Sequence, residues 1–85
     1  MNAEDDVFRR VKIACSSIFE GETTESLDMS STMETVPDWN STNFLSLIVA
    51  LEDEFDITIP ALHSISLLSI EEICDYIEAK NEKNS

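Results

Sequence analysis

From Phe44 to Phe55 the apolar residues Phe44, Leu47, Ile48, Leu51 and Phe55 recur at intervals of three and four. A strand places alternate residues on one face, whereas this spacing gathers all five on one side of a helix. The chain around this segment can supply little else. It has one glycine and two prolines, too few breakers for an all-β chain rich in tight turns. Hydrophobic residues make up 42% of it, enough to drive folding. With 85 residues there is room for one core. These features predict an all-α fold in a single domain spanning 1–85, with its core between about 3 and 80.

A first helix is predicted from Ala3 to Glu20, with Val7, Val11, Ala14, Cys15 and Ile18 on one stripe and Phe8 and Phe19 at its edges. Gly21 is expected to end it. Glu22 to Trp39 has neither period, and a connection of this length in a small domain needs apolar anchors. It reads as an ordered loop tethered by Leu27, Met33 and Val36. The second helix follows, opening at a serine, Ser41. Asp56-Ile57-Thr58-Ile59-Pro60 alternates like a strand but has no partner strand, so it reads as an extended connector. Pro60 suits the first position of a short helix from Ala61 to Ile65. Ser69-Ile70-Glu71-Glu72 is a capping box that opens a last helix through about Lys80. In that helix Ile70, Ile73, Cys74 and Ile77 face inward, with Tyr76 near the edge. Residues 81–85 are expected to fray. The sum is a small four-helix bundle: three main helices, one short helix and a long first loop.

The formal net charge is −13. Such a surface repels nucleic acid and anionic membranes and attracts basic patches. No apolar run approaches the ~18 residues of a membrane span. The N-terminal segment is acidic and lacks the apolar core of a signal peptide, so a cytoplasmic location is expected. Cys15 and Cys74 form no Cys-x-x-Cys pair and fall at apolar helical positions, as buried small hydrophobes do. His63 has no cysteine or aspartate at ligand spacing. The acids from Asp53 onward lack the glycine turn of a calcium loop. No metal site is expected.

The ordered set Trp39-Asn40-Ser41, then Leu45-x-Leu47-Ile48-x-Ala50-Leu51-Glu52-x-Glu54-Phe55, then Ile57-x-Ile59-Pro60, and finally Asp75-Tyr76-Ile77 resembles the acyl carrier protein family. The similarity runs from Val7 to Ile77. It implies a free-standing carrier, not an enzyme, monomeric and cytoplasmic. Ser41 would bear a covalent 4′-phosphopantetheine arm, attached from coenzyme A by a phosphopantetheinyl transferase. The arm's thiol would hold thioester intermediates of fatty acid, polyketide or other specialised biosynthesis. Partner-docking positions carried over are Thr42, Leu45, Val49 and Glu52. The partners implied are the transferase and acyl-activating, acyltransferase or synthase enzymes with basic patches. The cargo is set by those partners.

Two positions depart from the family pattern. Asn40 stands where the family has aspartate, and Thr42 where it has leucine. Asparagine keeps the shape but loses the charge that helps a hard cation bind. The alternative is therefore a diverged carrier fold that lacks the arm and serves as a protein-interaction module. A hydrolase pairing Ser41 with His63 lacks an oxyanion motif and a third orienting group.

Overall fold

The computed structural model describes residues 3–84, with side chains described for 6–80. The protein is all-α, with five helices among the described residues: α1 (Ala3–Ser16), α2 (Gly21–Ser26), α3 (Ser41–Phe55), α4 (Ala61–Ser64) and α5 (Ile70–Asn84). The long helices α1, α3 and α5 form the bundle, with α1 packed against both others. No helix among the described residues is long and apolar enough to cross a membrane.

The first helix is shorter than its stripe predicts. Ser16 and Ser17 turn their hydroxyls onto the carbonyls of Ile13 (2.6 Å) and Ala14 (2.8 Å), an alternative to continuing the helix. The N–H groups of Ile18 and Phe19 both reach Cys15 O, at 2.9 and 2.8 Å. This tight turn swings Phe19 into the core, not its edge. Gly21 does not end α1. No glycine has positive φ, and Gly21 instead opens α2, a helix with no buried residue and hence no apolar period to betray it. The long first loop thus begins with a helical turn and a half, which adds a fifth helix to the four expected.

The rest of that loop is anchored as expected. Leu27 and Val36 are buried, and Met29 and Met33 pack partly buried against the core. Met33 N–H donates to Leu68 O (2.9 Å) and Ile70 N–H to Ser31 O (3.0 Å), forming a single antiparallel bridge between Thr32 and Ser69. This pair of bonds straps the loop to the start of α5.

Helix α3 buries Leu47, Ile48, Leu51 and Phe55, with Phe44 partly buried. Fully burying such a side chain contributes about 1.5–3 kcal/mol. They share one core cluster with Val7, Val11, Ala14 and Cys15 of α1 and Ile70, Ile73, Cys74 and Ile77 of α5. Asp56 ends α3 in the left-handed conformation (φ 52°, ψ 50°), which aspartate tolerates better than most residues. The connector to α4 is extended and forms no strand. Pro60 sits just outside α4 as its cap, and Ile65 closes it. At α5, Ser69 Oγ accepts the Glu72 N–H (3.1 Å), while the Glu72 carboxylate accepts from Ser69 Oγ and from Leu68 N–H. The helix continues to Asn84, past the expected end at Lys80. Ser85 lies outside the described residues.

Candidate functional site

The start of α3 is built by side chains from both flanks. Trp39 is 2% exposed and lies tilted against Phe19, with ring centroids 6.2 Å apart. Its indole Nε1 is buried and has no hydrogen-bond partner among the described residues. Asp38 faces two ways: its carboxylate accepts the Glu20 N–H (3.1 Å) and its carbonyl accepts from Asn43 Nδ2 (2.7 Å). Asn40 is the N-cap, its Oδ1 accepting the Asn43 N–H at 2.9 Å. Asn43 therefore closes the turn from both ends. Its place at the third helical position, where capping boxes put a side chain that reaches back, is the signal in the sequence for this role.

Ser41 is left as the first helical residue, exposed, with no hydrogen bond to its hydroxyl among the described residues. Its own N–H and that of Thr42 point out of the first turn, where a helix has free donors and the positive end of its dipole. The arrangement offers an accessible hydroxyl beside donors suited to an anion. Among the described residues no base is hydrogen-bonded to that hydroxyl. His63 is exposed on α4, and its Nδ1 lies 2.8 Å from Tyr76 Oη, with the rings edge to face. Among the described residues no group of His, Cys, Asp and Glu is arranged to hold a metal ion.

One helical turn beyond Ser41, Leu45 and Val49 stand out on one stripe, 68% and 57% exposed. Thr42 is exposed as well. Glu52, at the end of the same stripe, is different. It is only half-exposed, and its Oε2 accepts the Ile59 N–H at 2.8 Å. Glu54 is engaged too: Arg10 Nε meets its Oε2 at 3.0 Å, Arg10 Nη2 donates to its carbonyl, and the guanidinium lies 4.4 Å from the Phe55 ring centroid. Of the three acids at the end of α3, Asp53 is the one fully turned to solvent.

The two leucines before α5 part company. Leu67 is core, while Leu68 is exposed and borders a groove of about 370 Å³ with Met33, Thr32 and Glu72. Cys15 and Cys74 are both buried. Burial, with the neighbouring Cys74 adding to it, pushes the Cys15 thiol from 9.0 up to about 12. In the loop, hydrogen bonds from the Ser30 hydroxyl and N–H hold Asp28 below the usual carboxylate range. Compared with known proteins, the chain matches no family model and no curated protein.

Proposed function

We propose that the protein is a free-standing carrier that holds acyl or related groups as thioesters on a 4′-phosphopantetheine arm esterified to Ser41. The observation that carries this reading is the state of Ser41: exposed, with no hydrogen bond to its hydroxyl among the described residues, at the first position of a long helix, between a hydrogen-bonded Asp38–Asn43 turn and an apolar stripe. The residues suit the group. The Ser41 oxygen is free to become the ester oxygen, and the N–H groups of Ser41 and Thr42 lie next to where its phosphate would be. When attached, the arm supplies a thiol that carries the cargo. The chain's own contribution is to present the hydroxyl and lend the dipole. In the transfer, the Ser41 oxygen forms a bond to the pantetheine phosphorus of coenzyme A, the bond from that phosphorus to the adenosine bisphosphate breaks, and the hydroxyl proton passes to a base of the transferase.

Leu45 and Val49, with Thr42 at their edge, form the docking stripe for the transferase and for acyl-loading or synthase enzymes. The charge of −13 steers basic partner surfaces toward it. Asn40 favours a second reading, an interaction module without the arm. Its Oδ1 is already committed to the Asn43 N–H, and it brings no charge to a transferase's metal.

Intact mass after incubation with coenzyme A, magnesium and a broad-specificity phosphopantetheinyl transferase separates the two. The expected outcome is a gain of one phosphopantetheine, absent in Ser41→Ala and faster in Asn40→Asp. No gain in wild type or in Asn40→Asp would give the interaction module precedence.

A further inference from the structure

Glu52 gathers the connector between α3 and α4 almost single-handedly. Its carbonyl accepts the N–H groups of Asp56 and Ile57, the latter at 3.2 Å, and its carboxylate accepts that of Ile59 at 2.8 Å. Pro60 has no N–H, so Glu52 takes three of the four N–H groups that residues 56–60 possess. The carbonyl bonds belong to the backbone and would survive any substitution. The carboxylate bond is specific to the side chain. It secures the N–H of Ile59, a buried residue that would otherwise hold an unpaired donor away from water.

Ile59 stands two residues before α4. That helix is four residues long, and with Ile65, which closes it, it presents two exposed large apolar side chains, Leu62 (81%) and Ile65 (66%). So short a helix has no stability of its own, and its placement depends on what fixes its ends. From Ile57 to Ser69 the chain has no Asp, Glu, Lys or Arg. This neutral, apolar stretch lies between the acids that end α3 and those that open α5, so a partner reads it by apolar contact.

We infer that Glu52 is a positioning residue: through its bond to Ile59 N–H it sets the apolar α4 face that a basic-rimmed partner surface contacts, instead of meeting that partner with its charge. This inference rests on the carrier reading for its docking half and on the connector's geometry for the other. It assigns Glu52 the opposite role from an exposed acidic docking residue, and the two roles respond differently to isosteric substitution. Glutamine keeps a side-chain oxygen for Ile59 and removes the charge; alanine removes both.

The test uses Glu52→Gln, Glu52→Ala and Ile65→Ser in the full chain, with two readouts. One is amide hydrogen exchange at Ile59. The other is transfer of phosphopantetheine from coenzyme A by a broad-specificity transferase, with kcat and KM separated. Glu52→Gln should keep Ile59 protection and leave KM near the wild-type value. Glu52→Ala should lose protection at Ile59 by about tenfold or more. It should also raise KM as Ile65→Ser does, with kcat unchanged, as expected when only association suffers. Equal rises in KM for Gln and Ala with Ile59 still protected would overturn the inference and return Glu52 to a charge role. Unchanged protection in Glu52→Ala would overturn it as well. If wild type accepts no arm, the carrier reading and the docking half fail together, while exchange at Ile59 still decides the positioning bond.

Discussion

Cys15 shows how burial changes the chemistry of a single residue. Its thiol lies in the core between α1 and α5, where ionising costs desolvation and meets the neighbouring Cys74. The folded state therefore holds this proton after the unfolded chain has released it. The contribution to stability is complete below about pH 9 and is lost as pH rises toward about 12, since above 9 the unfolded state binds fewer protons. Denaturant unfolding across that range should show a steeper loss in wild type than in Cys15→Ala, with the difference approaching ~4 kcal/mol at ~1.4 kcal/mol per unit. An identical slope in both chains would show that other groups govern alkaline unfolding. Ser41 illustrates the opposite case. It is available because Asn40 takes the cap and Asn43 closes the turn.

At the scale of elements, α3 is held at both ends by side chains of the connecting segments. Asn40→Ala removes the cap and should cost about 1 kcal/mol, read as a lower denaturant midpoint, while Asn40→Asp should hold or gain stability because a carboxylate favours the helix start. Loss of midpoint in both variants would mean that the asparagine Nδ2, not Oδ1, matters. At the other end the Glu52 carboxylate accepts the Ile59 N–H and the Glu54 carboxylate meets Arg10 Nε. Periodicity located the body of α3, from Phe44 to Phe55, because four of its side chains are buried. It could not locate α2, which buries none, nor stop α1 at Ser16, where serine hydroxyls and the inward turn of Phe19 compete with the helix.

For the whole molecule the net charge of −13 is the dominant long-range property. The described ion pairs, Arg9–Asp6 and Arg10–Glu54, neutralise little of it. Self-repulsion of that kind weakens the compact state and is screened by salt, whose Debye length falls from ~10 Å at 0.1 M to ~3 Å at 1 M. Raising sodium chloride across that range should raise the melting temperature. The same salt should slow arm transfer to Ser41 through a higher KM, since steering toward a basic surface is screened too. A melting temperature that falls with salt would show that the two ion pairs outweigh the repulsion.

The all-α class, the inward faces of the three long helices and the exposed serine at the head of α3 were legible in the sequence, because spacing alone decides which residues share a helix face. The capping box at α5 was legible for the same reason: its partners lie within one turn. What only the tertiary structure decided involves groups distant in the chain. Phe19 leaves α1 to meet Trp39, residues 31–33 strap onto 68–70, and Arg10 crosses to Glu54. Glu52 belongs with them, although Ile59 is only seven residues away. A helix stripe says which side of α3 a carboxylate occupies. Whether it faces solvent or an N–H depends on where the chain goes after the helix ends, and that path is set by burying Ile59 in a core to which α1, α3 and α5 all contribute.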